Sequence, residues 1–139
     1  MRIYFDSSAL IKRVMNEEHS MELIEAVRTF AKGGHAMATS ALATIEVSRI
    51  VRSRLDEASP RVVLEAIENA LSGVTECAIT EEVVGIARRL GPASLRSLDA
   101  VHLATATQVD VDLVVGYDFR LLRSAEELGF RTLAPGVTE

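Results

Sequence analysis

Tryptophan is missing from this chain and aromatic residues make up only 4% of it. Any core must therefore be aliphatic, and a nucleic acid gripped mainly by stacking bases on aromatic side chains is disfavoured. Cysteine occurs once, at Cys77. One thiol can form neither an internal disulfide nor a cysteine-based zinc site, which suits a reducing cytoplasm, and Cys77 is expected to be a small buried apolar residue. No uninterrupted apolar run approaches the roughly 18 residues that a membrane helix needs. Asp6 interrupts the one N-terminal apolar stretch and no basic segment precedes it, so neither a signal peptide nor membrane residence is expected and the location is read as cytoplasmic. An excess of positive charge is also lacking: 15 Lys and Arg against 20 Asp and Glu give a formal net charge of −5. That argues against non-specific binding of nucleic acid through the overall field.

What is present is ample apolar material. Hydrophobic residues are 48% of 139, with a mean hydropathy of +0.20, enough to build one compact domain over residues 1–139. Arg2-Ile3-Tyr4-Phe5 reads as a strand that stops at Asp6-Ser7-Ser8, an acid followed by helix-capping residues. Helices are expected over Ala9 to Val14, Ser20 to Lys32, Ala41 to about Leu55, Arg61 to Leu71, from Thr80 to about Leu90, Leu98 to Gln108 and Arg120 to Leu128. Between them His35 to Thr39, Val74 to Ile79, Asp112 to Val115 and Arg131 to Leu133 read as strands. Parallel strands need helical crossovers, so this alternation predicts an α/β fold, a central parallel sheet covered on both faces.

The acids stand out against that frame. Asp6 follows the first strand, and in open parallel sheets ligands bind at the carboxyl ends of strands; helix capping is the alternative. Glu46 falls in angle between Leu42 and Ile50, on the apolar arc of its helix. An unpaired carboxylate there would cost on the order of several kcal/mol, so it must be paired, protonated or bound to a cation. Pairing with Arg49 or another arginine is one possibility. Asp99 lies in angle between Leu103 and Ala106, again on the packed side of a helix, and Asp118 follows the buried strand ending at Val115.

Acids that converge without matched bases predict a divalent cation, and carboxylate and water ligands suit Mg2+, with Mn2+ as a substitute, better than zinc. His102 is in principle a further ligand, with a packing or surface role the favoured alternative. Ser8 either caps the first helix or hydrogen-bonds a carboxylate, a water or a phosphate. A cation held by acids activates water and offsets charge developing on a phosphoryl group, so phosphodiester hydrolysis is the expected chemistry. Arg49, Arg52 and Arg54 after Glu46, and Arg120 and Arg123 after Asp118, are basic runs; Arg49 and Arg120 are candidate RNA contacts, with a solvated helix face as the alternative.

Four segments in order now resemble one family, the PIN-domain nucleases, especially VapC-type toxins, over essentially the whole chain. They are Tyr4-Phe5-Asp6-Ser7-Ser8-Ala9-Leu10, Ser40-Ala41-Leu42-Ala43-Thr44-Ile45-Glu46, Leu98-Asp99-Ala100-Val101-His102-Leu103-Ala104-Thr105-Ala106 and Gly116-Tyr117-Asp118-Phe119-Arg120-Leu121. In the last, the family often has Thr where this chain has Gly116, which removes a hydroxyl from the segment. The resemblance implies a three-layer α/β/α PIN fold, Mg2+ held by Asp6, Glu46, Asp99 and Asp118, cleavage of RNA, a homodimer, and a cognate VapB-like antitoxin that occludes the active site. A phosphatase with an aspartyl nucleophile is disfavoured because Ser8 stands where it would need a second acid. A receiver domain lacks its adjacent acidic pair. The remaining alternative is a PIN fold that binds RNA or protein without cutting, against which all four acids weigh.

Overall fold

The computed structural model describes residues 1–138. Five strands, β1 (Arg2–Phe5), β2 (Ala36–Ser40), β3 (Thr75–Cys77), β4 (Leu113–Val115) and β5 (Arg131–Leu133), form one sheet in the order β3-β2-β1-β4-β5. Every neighbouring pair is parallel. Seven helices connect them among the described residues: α1 (Ser7–Lys12), α2 (Ser20–Lys32), α3 (Ala41–Arg54), α4 (Pro60–Leu71), α5 (Glu81–Ala87), α6 (Ser97–Val109) and α7 (Phe119–Glu127).

The alternation of side chains along β1 builds the layers. Ile3 and Phe5 enter one core with Leu10, Leu23, Val27, Val47, Val51 and Ile67, drawn from α1 to α4. Tyr4 enters the other with Leu103, Val114, Leu121 and Leu122, so α6 and α7 cover that face. The three-layer α/β/α expectation holds. Pro60 occupies the first turn of α4 behind the Ser59 cap, and Thr80 caps α5, where a missing N–H and a side-chain oxygen suit unpaired helix-start donors. Some ends differ from expectation: α1 spans Ser7–Lys12 rather than Ala9 to Val14. β3 is confined to Thr75–Cys77 because as the edge strand it pairs only with β2, and α5 stops at Ala87, short of Leu90. Cys77 is half-buried rather than buried, at the end of that edge strand.

Strand order reverses around β1: the chain runs outward through β2 and β3, then returns to the far side of β1 with β4 and β5. Such a switch point opens a crevice at the carboxyl ends of the two diverging strands. Phe5 pairs with Val115 in register, and the Asp6 N–H donates to the Val115 carbonyl at 3.1 Å. The crevice therefore begins with Asp6 on one side and Gly116 on the other.

Candidate active site

Asp6 ends β1 and caps α1 at once. Its Oδ1 accepts the Ala9 N–H at 3.0 Å and the Ser8 hydroxyl at 2.6 Å. Ser8 thus holds the carboxylate rather than capping the helix itself. The same hydroxyl oxygen accepts the Tyr117 N–H at 2.8 Å, which ties the loop after β4 to the first acid. Tyr117 is in turn anchored by its own hydroxyl on the Pro135 carbonyl at 2.7 Å, with the Lys12 ammonium 4.5 Å from its ring centre.

One oxygen of Asp6 is left over. Asp6 is 2% exposed, and its Oδ2 has no hydrogen-bond partner among the described residues. Burial pushes this carboxyl up from its ordinary value; the bonds from Ser8 and Ala9 and the proximity of His102 pull it back, while Asp118 adds to the rise. Gly116 makes the position possible. A Cβ built on it would stand 2.2 Å from Asp6 Oδ2 and 2.4 Å from Cγ, closer than non-bonded atoms can approach. The glycine therefore does more than delete a hydroxyl: no larger residue fits beside Asp6 as it stands.

Asp99 lies in the first turn of α6 and is buried, with Oδ2 likewise lacking a hydrogen bond. Arg96 Nε is 3.5 Å from that oxygen, too long for a hydrogen bond, and its side chain is mostly in solvent; water weakens such a pair, so we treat it as partial neutralisation only. Asp118 caps α7, its Oδ1 accepting the N–H groups of Arg120 at 3.1 Å and Leu121 at 3.3 Å. Glu46 projects from α3 half-buried and is paired with His102 Nε2 at 3.0 Å, not with an arginine.

Asp6, Ser8, Glu46, Asp99 and Asp118 all line one recess of about 300 Å3, together with Arg96, Leu98 and His102. The five residues expected from sequence are thus brought together, with Ser8 in a supporting position. His102 packs inside the molecule, one of the two expected alternatives, and is not a surface residue, but it does more than pack. It is 4% exposed, lines the recess and makes hydrogen bonds with both ring nitrogens. Its place three residues after Asp99, on the same helix face, was the available signal. The arginines separate. Arg120 lines a neighbouring recess of about 320 Å3 with Arg96, Arg123 and Asp99, whereas Arg49 is exposed on α3 and lines neither recess.

Among the described residues no three His, Cys, Asp or Glu side chains are gathered tightly enough to form a finished metal cage. The donor set nevertheless fits a hard divalent cation: every acid offers oxygen, and two buried carboxylate oxygens, on Asp6 and Asp99, have no hydrogen-bond donor.

Known proteins resemble this chain in sequence and in fold. The PIN domain family model matches residues 3–127. The chain belongs to the PIN domain family. Within it the chain is of the VapC type. It is 40% identical over 136 residues to Ribonuclease VapC47 of Mycobacterium tuberculosis (strain CDC 1551 / Oshkosh), covering 96% of this chain and 97% of that one. It is 36% identical over 135 residues to Ribonuclease VapC46 of Mycobacterium tuberculosis (strain ATCC 25618 / H37Rv), with the same coverage. The fold is shared with VapBC2 from Rickettsia felis, solved bound to a promoter DNA fragment, at a TM-score of 0.72 and 11% identity over 96% of this chain and 98% of that chain. It is shared too with VapC20 of Mycobacterium tuberculosis, a Sarcin-Ricin loop cleaving toxin, at a TM-score of 0.69 and 16% identity over 96% and 99%.

Proposed function

We propose that this VapC-type PIN protein is a Mg2+-dependent ribonuclease, with Mn2+ able to substitute, and the toxin half of a toxin–antitoxin pair. The observation that carries the reading is the pair of buried, undonated carboxylate oxygens on Asp6 and Asp99 in a recess that also holds Glu46 and Asp118. Asp6, Glu46, Asp99 and Asp118 would hold the ion. When bound, such a cation activates water for attack on phosphorus and offsets the charge that develops on the phosphoryl oxygens.

The protein's own groups prepare that chemistry. Ser8 and the Ala9 N–H fix Asp6 through Oδ1 alone, so Oδ2 carries the unshared charge. Arg96, Arg120 and Arg123 border the acids on the α6–α7 side, where they can take the phosphates flanking the cut; Arg49 would meet RNA only further out along α3. The curated relatives are named ribonucleases, and a structural neighbour is a VapBC complex, which supports a VapB-like antitoxin as partner. A homodimer, a cytoplasmic location and one PIN domain over 1–139 complete the reading; no helix among the described residues is long and apolar enough to cross a membrane.

The test is to incubate protein freed of any copurified partner with total RNA and Mg2+ or Mn2+, beside EDTA and Asp99→Asn controls, and to map cleaved ends by sequencing. Discrete cuts lost in both controls are expected. RNA bound but uncut under every metal would mean a binding module instead.

A further inference from the structure

Four acids account for the cation, and yet the recess holds a buried histidine that they do not require. His102 rises from α6 into the space between β1 and α3. Its Nδ1 lies 2.6 Å from the hydroxyl of Tyr4, and its Nε2 lies 3.0 Å from Glu46 Oε1. Tyr4 is fully buried on β1 and meets the imidazole edge-on, with ring centroids 5.9 Å apart. Three elements that the chain visits far apart therefore meet in one line of hydrogen bonds.

The chemistry of Glu46 sets the direction at its end of that line. An ionised carboxylate only accepts, so Nε2 must carry a hydrogen towards Glu46. The Tyr4 hydroxyl, which can both donate and accept, occupies Nδ1 whichever of the two carries the shared hydrogen. Neither nitrogen keeps a free lone pair directed at the recess, which excludes His102 as a metal ligand while both bonds stand. Its remaining role is to hold Oε1 of a long side chain that is 29% exposed and would otherwise sample several rotamers. Carboxylates that bind metals are commonly oriented by such an outer partner.

We propose that Tyr4 and His102 form a buried positioning chain that fixes the Glu46 carboxylate through Oε1, presenting its other oxygen for divalent-cation binding. This rests on the metal-site part of the reading above, and not on the cleavage of RNA. His102 is a positioning residue: it acts through Glu46.

Two substitutions separate positioning from mere packing. The amide nitrogen of His102→Gln reaches the place of Nε2 and keeps a donor for Glu46; that of His102→Asn reaches only the place of Nδ1 and loses it. The full chain is titrated with Mn2+ alone, free ion being read by electron paramagnetic resonance, and each variant's Tm is taken by calorimetry. His102→Gln should bind Mn2+ within about threefold of wild type and His102→Asn about tenfold or more weaker, the usual cost of removing an outer partner. Wild-type affinity in His102→Asn, or equal weakening in both variants in step with their loss of Tm, would overturn the proposal. Should His102→Asn fail to fold, Tyr4→Phe keeps the ring and deletes the hydroxyl; weakened Mn2+ binding is expected, and unchanged binding overturns the chain. Wild-type protein that binds Mn2+ but cuts no RNA would defeat the ribonuclease reading and leave this inference standing; wild type that binds no Mn2+ defeats the inference.

Discussion

At Gly116 the decisive fact is a distance of 2.2 Å between an added Cβ and Asp6 Oδ2. The residue does not need glycine for its backbone, since it is not among the residues with positive φ; it needs it for space. Gly116→Ala must push Asp6 off the Ser8 hydroxyl and the α1 cap, and we expect a loss of about 1–3 kcal/mol in urea unfolding together with loss of RNA cleavage. An alanine variant that folds and cuts as wild type would show that Asp6 has another seat. Asp6→Asn acts in the opposite sense on stability. Burial raises the carboxyl of Asp6, so the folded state keeps its proton to higher pH than the unfolded chain does. The metal-free protein then loses stability as pH rises from the ordinary carboxylate range through the raised value. Asparagine keeps an oxygen for Ser8 and Ala9 and carries no charge. In EDTA at neutral pH, Asp6→Asn should therefore melt higher than wild type by calorimetry, with the gap closing as pH falls; a lower Tm at neutral pH would mean that the lost charge was compensated.

At the scale of elements, the strands and helices were largely legible because period and punctuation agreed. Asp6, Ser40, Ser59, Thr80 and Asp118 each mark a helix start with a side-chain bond to an early N–H, and such caps are written in local sequence. Glu46 and Asp99 were legible as acids on apolar arcs, and both face the recess. The partner of Glu46 was not. Angle on α3 shows which way the carboxylate points but not what comes to meet it, and His102 arrives from α6, 56 residues later. Tyr4 reads as an ordinary core aromatic for the same reason: its hydroxyl finds an imidazole 98 residues away. The role of Gly116 was equally hidden, because the neighbour that forbids a side chain is on the adjoining strand. Residues whose function is set by non-local contact leave little trace in periodicity.

For the molecule as a whole, a net charge of −5 has to coexist with binding of a polyanion. Total charge falls off as a guide at short range, where individual groups about a Debye length or less apart set the field. On the α6–α7 side Arg120 and Arg123 have no carboxylate within ion-pairing distance among the described residues, and both border the recess that shares Asp99 with the acids. They are free to meet phosphate, beside a recess whose four acids a bound divalent cation would offset. A protein that used only these local contacts would bind RNA with a shallow salt dependence. Each phosphate contact on a single strand contributes about 0.7 to the slope of log affinity against log salt. In an Asp99→Asn background that prevents cutting, Arg120→Gln and Arg123→Gln should each lower that slope by about one contact, measured by fluorescence anisotropy over a salt series. Arg49→Gln, further out on α3, should change it less. If Arg49→Gln lowers the slope and the α7 arginines do not, the strand crosses the acids from the α3 side, and the phosphate path drawn here runs along the wrong wall.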